Sequence, residues 1–115
     1  MNFIAEYTLH LLLLVGTIYL LAGIFVLNFP PKKINHLYGY RMASSMKSQE
    51  RWDFAQMKSS WEMIKIAIIM IILSGIPLII PMSEDLNMGL SLFILIALTA
   101  LMIYRVEKAI KNKFG

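Results

Sequence analysis

The chain contains no cysteine, so a disulfide framework, a thiolate metal site and a cysteine nucleophile are all excluded, and nothing about redox compartment follows. It is also poor in acids, with seven against eleven lysines and arginines, and poor in charge overall, at 16% of 115 residues. Hydrophobic residues make up 58%, too apolar for an ordinary soluble fold, and the length allows one domain. There is no internal repeat of useful length, no low-complexity linker, no HExxH, no Gly-rich phosphate cradle and no nucleophile elbow. What remains is three nearly unbroken apolar runs separated by two polar segments. That pattern reads as an all-α integral membrane protein with three transmembrane helices, forming a single membrane domain over 1–115.

The first run, about 7–27, is about 30 Å long as a helix, the thickness of a bilayer's hydrocarbon core. It starts Met1-Asn2-Phe3-Ile4-Ala5-Glu6 and ends Asn28-Phe29-Pro30-Pro31. A signal peptide would open on basic residues and close on a small-residue cleavage site, so a mature helix is expected, ended by the paired prolines. The second run, about 63–80, is expected to be helical despite its isoleucines, bent near Ser74-Gly75 and Pro77 and stopped at Pro81. The third, about 86–104, follows the acidic turn Met82-Ser83-Glu84-Asp85, making an antiparallel hairpin with the second, and ends in a basic tail from Arg105 to Lys113. Gly16 and Gly23, a heptad apart on the first helix, predict close helix packing. No ionisable residue stands at mid-membrane depth, which argues against a transporter or proton-coupled pump.

The cations set the orientation, because cytoplasmic flanks carry the excess of Lys and Arg. Lys32, Lys33, Arg41, Lys47, Arg51 and Lys58 lie in the first loop, Lys65 opens the second span, and Arg105, Lys108, Lys111 and Lys113 follow the third. The amino-terminal flank and the 82–88 turn carry only the acids Glu6, Glu84 and Asp85. The expected topology is N-terminus out and C-terminus in, multi-pass in the cell (cytoplasmic) membrane, with a structured cytoplasmic loop over 28–62. The basic surplus then serves topology and anionic lipid, and no nucleic acid is needed to explain it.

That loop is the only segment long enough to hold a site outside lipid. From Ser48, a suitable cap with Glu50 in the first turn, a helix is expected to run through Trp61 into the membrane, aligning Trp52, Ala55 or Gln56, Ser59 and Met63 on one face. Trp61 reads as an interfacial belt residue. Trp52, further from lipid, needs another partner, and the Tyr38-Gly39-Tyr40 turn folding back against it is the simplest. Gly39 permits the turn, and Arg41 can grip a phosphate, a carboxylate or helix-terminal carbonyls, or act as a topology charge. Glu62 and Lys65, three apart at the boundary, are expected to pair or snorkel. At the other face Glu6 and His10, four apart, form a possible proton-sensitive or ligand-contacting pair. Glu50 and Asp53, with His36, make only a poor metal-binding set; no catalytic, cofactor or metal residues are assigned, and an enzyme is not expected.

The string Asn35-x-x-Tyr38-Gly39-Tyr40-Arg41, followed by Ser48, Trp52 and Ala55-Gln56 between hydrophobic spans, resembles the SdpI-like immunity-protein family over residues 30 to 60 in motif and nearly the whole chain in span layout. The family pattern usually has Thr or Ser directly after the arginine, where this chain has Met42. The resemblance implies protection of a bacterial cell against a secreted, membrane-active antimicrobial peptide, by binding or occluding the peptide or its lipid target. It also implies Asn35, Tyr38, Gly39, Tyr40, Arg41, Ser48, Trp52 and Gln56 as the binding or structural motif. To the toxin peptide and a cytoplasmic regulator that the resemblance implies, the basic apolar chain adds membrane lipids, and the limited lipid-free interior of three helices adds a second copy of the chain. The alternative is a membrane scaffold or signalling protein whose loop recruits a regulator or anionic lipid.

Overall fold

The computed structural model describes residues 9–115, and these are helical apart from their connections: α1 (His10–Asn28), α2 (Gln49–Leu73), a 3-10 turn (Ile76–Leu78) and α3 (Glu84–Phe114). All three helices are long and apolar enough to cross a membrane. They form an elongated bundle of 49 × 25 × 19 Å in which α2 packs against both neighbours and α1 touches α3 more lightly.

Each helix begins and ends where its chemistry dictates. Ser48 caps α2 in extended backbone, its hydroxyl accepting from the Arg51 N–H at 3.2 Å, with Glu50 beside the positive end of the dipole. Ser83 does the same for α3 through Leu86 N–H at 3.2 Å, with Glu84 and Asp85 in the first turn and Lys111 and Lys113 in the last. The α1 helix stops at Asn28, just before Pro30 and Pro31.

The second helix departs from its expected length, stopping at Leu73 rather than Ile80. Pro77 has no N–H for the carbonyl of Leu73, and the chain tightens at Gly75 into the 3-10 turn. The carbonyl of Ser74, released by this break, accepts from the Leu9 N–H at 2.7 Å, so an orphan acceptor of α2 meets an orphan donor before α1.

Lipid offers little drive for apolar faces to associate, so helix contact rests on packing and on bonds between helices. Gly16 and Gly23 are buried on the α1 face toward α2. A Cβ on Gly23 would lie 2.9 Å from Ile64 Cγ1, and one on Gly16 3.0 Å from Met70 Cβ, so the helices approach as the heptad spacing predicts. Leu9, Leu12, Ile66, Met70 and Met102 form the core there. Tyr19 and Thr99 share a hydrogen bond of 2.9 Å between α1 and α3, worth roughly 1 kcal/mol in such a setting.

The third helix also corrects the sequence reading. Residues 105–113, read as a tail, continue α3 without interruption to Phe114. Met102, Val106, Ile110 and Phe114 recur at helical spacing through the charged segment, and Val106 and Ile110 pack on Ala55 beside Tyr40 and Phe54 as a second core. This core joins the loop, the start of α2 and the end of α3 at one end of the bundle.

Candidate functional site

The loop of residues 29–48 is organised by side chains that substitute for secondary structure. Asn35 Oδ1 accepts from the N–H groups of Leu37 and Tyr38 at 2.8 and 3.0 Å, while its Nδ2 donates to Lys33 O at 2.8 Å, fixing a tight turn. Tyr38 donates its hydroxyl to Phe29 O at 3.2 Å and lies beside the Phe25 ring, tying the turn to the end of α1. Gly39 then adopts φ +98°, open to glycine and rarely to other residues.

Gln56, buried on α2, grips the next residue by its backbone. Its Oε1 accepts from Tyr40 N–H at 2.7 Å and its Nε2 donates to Tyr40 O at 2.9 Å, as a neighbouring strand would. One turn earlier, fully buried Trp52 donates its indole N–H to Pro31 O at 2.6 Å. The indole's hydrogen bond thus goes to Pro31, while the backbone of the Tyr38-Gly39-Tyr40 turn is held by Gln56. Indole only donates, so it serves a lone carbonyl, whereas a carboxamide can satisfy both polar groups of a residue. Gln49 adds a bond of 2.6 Å to Lys32 O, and also donates to Asp53 at 2.8 Å.

Two further members come from outside the motif. Glu107 on α3 accepts from the Tyr40 hydroxyl and, at 2.7 Å on the same oxygen, from Ser44. Burial, and then the hydrogen bond to the Glu107 carboxylate and its negative charge, hold the Tyr40 phenol well above its usual range. Ser45, buried, donates to Met42 O at 2.8 Å and Tyr40 O at 3.1 Å, so a hydroxyl serves the backbone three residues beyond Met42. Neither Glu107 nor the two serines were singled out in the sequence; the apolar stripe through the tail was the signal that would have placed Glu107 against the loop.

Arg41 is exposed and donates to the carbonyl of His36 within its own loop. Glu62, buried on α2, pairs with Lys65 at 3.2 Å, as its spacing predicts, with Lys58 at 3.6 Å, and across to α3 with Arg105. Among the described residues no three His, Asp or Glu side chains gather at one point, so Glu50, Asp53 and His36 do not come together as a metal set. His10 has a buried Nδ1 without a partner among the described residues, and Glu6 lies outside them.

Beside the turn, a groove of about 950 Å³ is lined by residues of all three helices. Leu21, Ala22 and Phe25 line it from α1, Ser59, Ser60 and Met63 from α2 and Met102 from α3, with Tyr38, Gly39 and Tyr40 of the loop. The motif's turn thus forms part of the wall of a largely apolar groove.

A family model, that of the SdpI/YfhL protein family, fits residues 32–106, which hold most of the loop, α2 and most of α3 but not α1. The chain belongs to the SdpI/YfhL family. Membership and three membrane-length apolar helices make it a multi-pass membrane protein. The uncharacterized protein YfhL of Bacillus subtilis (strain 168) is 45% identical over 49 residues, 43% of this chain and 44% of that protein, so the similarity spans less than half of the relative. No solved structure matches. The SdpI/YfhL match includes the turn, Gln56 and Trp52, and stops one residue before Glu107.

Proposed function

We propose that this SdpI/YfhL protein protects a bacterial cell by binding a membrane-active antimicrobial peptide in the apolar groove, without a chemical step. The observation that carries the reading is the position of the family motif: the turn held by Gln56 forms part of the wall of a largely apolar groove whose flank faces where lipid would lie. A peptide acting within the membrane presents apolar side chains from that direction, and a concave, largely apolar wall with a few polar groups suits such a segment. The protein sits in the cytoplasmic membrane with its amino terminus outside and the loop inside, an orientation supported by the cations gathered on the loop and the end of α3.

Survival of peptide-sensitive cells expressing the chain tests the function, and Ala22→Phe, which fills the groove from an exposed α1 position, tests the seat. Protection by the wild type and its loss in the variant at equal membrane abundance is expected. No gain in survival with the wild type would remove the reading. Full protection by Ala22→Phe, or a photocrosslinker at position 22 that captures lipid and never peptide, would move the binding site elsewhere.

A further inference from the structure

A second concavity, of about 570 Å³, lies at the loop end between the loop, the first turn of α2 and the last turns of α3. Four cations from these three segments line it: Lys47, Arg51, Lys108 and Lys111. From this convergence we infer that the pocket seats the phosphate of an anionic phospholipid headgroup. The inference does not rest on the immunity reading.

The charge is not balanced from within. Glu107 is the one carboxylate side chain lining the pocket, and it is already engaged by Tyr40 and Ser44 through one of its oxygens. Arg51 lies over the Phe114 ring, 5.4 Å from its centroid, with one nitrogen 3.4 Å from Gly115 O, and Lys108 lies over Tyr104 at 5.9 Å. The ammonium groups of Lys47 and Lys111 make no ion pair or hydrogen bond among the described residues. Gathering like charges raises the energy of the fold, and an anion bound among them relieves it.

Depth selects a lipid over a soluble anion. Tyr104 stands about 30 Å along α3 from Glu84, the thickness of the hydrocarbon core, and lines the pocket as an interfacial aromatic. Lys108 and Lys111 lie roughly 6 and 10 Å further along the axis, in or beside the headgroup zone. Ile110 supplies an apolar wall, and basic pockets beside spanning helices are suited to anionic headgroups.

The full chain in detergent, titrated with phosphatidylglycerol and read by native mass spectrometry, tests this. One retained phosphatidylglycerol per chain is expected, with phosphatidylcholine at least fivefold weaker. The Lys47→Gln/Lys111→Gln pair should weaken retention about tenfold, and Lys47→Arg/Lys111→Arg should restore it. Lys32→Gln/Lys33→Gln, which removes the same amount of charge at loop positions outside the pocket, should change it less than twofold. Equal loss in both glutamine pairs would show diffuse attraction and overturn the site, as would equal retention of the two lipids. Displacement of the lipid by millimolar inorganic phosphate would make a free anion the ligand and overturn the lipid assignment.

Discussion

Gln56 holds Tyr40 by both polar atoms of its backbone, accepting its N–H at 2.7 Å and donating to its carbonyl at 2.9 Å. The carboxamide does the work of a strand in a chain whose described residues form none. Gln56 is buried, so replacing it leaves two backbone groups to find water or go unpaired, and each such group costs about 1–3 kcal/mol. Gln56→Glu separates shape from bonding, because a carboxylate keeps an acceptor and loses the donor. Thermal unfolding in detergent should show both Gln56→Glu and Gln56→Ala destabilised by roughly 2 kcal/mol or more, with faster proteolysis of the loop. Unchanged loop proteolysis in Gln56→Ala would show that the bracket does not hold the loop.

Gly39 gives a second test of the same contact. Its φ of +98° disfavours any side chain, and a Cβ there would lie 2.5 Å from Gln56 Oε1 and 2.7 Å from Pro31 Cγ. The glutamine could swing aside only by releasing Tyr40. Gly39→Ala should therefore cost on the order of 2 kcal/mol from backbone strain and lost contacts together. In a Gln56→Ala background the added cost should be smaller, since one obstruction is gone, and a strictly additive double variant would refute the coupling.

How far these contacts could be read in the sequence depended on whether local pattern or distant pairing made them. Long apolar runs marked the helices, Ser48 marked the start of α2, and Gly16 with Gly23 marked a close face, because each signal lies within one element. Leu73 as the last residue of α2 was harder, since a proline limits a helix without fixing the residue at which it ends. The α3 extension was obscured by its lysines, although Val106 and Ile110 kept the apolar spacing. Tyr40 meeting Glu107 required knowing that extension, and the division of Trp52 and Gln56 between Pro31 and Tyr40 follows from donor and acceptor capacity only once the loop's path is known.

The Tyr40–Glu107 bond fastens the loop to α3 and should show as a coupling in a double-mutant cycle of Tyr40→Phe and Glu107→Gln, on the order of 1.5 kcal/mol for a bond to a charged acceptor. It also carries a pH signature. Folding raises the phenol's pKa, chiefly by burial and then through Glu107. Such a group contributes fully below its unfolded value near 10, and the contribution is lost as the pH rises above that value toward the folded one. The stability difference between wild type and Tyr40→Phe should therefore hold from pH 7 to about 9 and shrink above about 10. A difference that grows with alkaline pH would contradict this environment for Tyr40.

The absence of cysteine makes the proposed orientation directly measurable, because one introduced thiol is the only one present. Ala43 and Asn112 are exposed, and their neighbours Ser44 and Lys111 line one pocket, so both positions must face the same side of the membrane. Asp85, exposed in the first turn of α3, lies at the opposite end of a helix about 46 Å long. None of the three substitutions removes a lysine or arginine, the residues that set topology. On intact cells, a membrane-impermeant maleimide should label Asp85→Cys and spare Ala43→Cys and Asn112→Cys until the membrane is opened. Labelling of Ala43→Cys and Asn112→Cys alone would invert the orientation while keeping the fold. Labelling of only one of those two would break the contact between the loop and α3 on which the whole site is built.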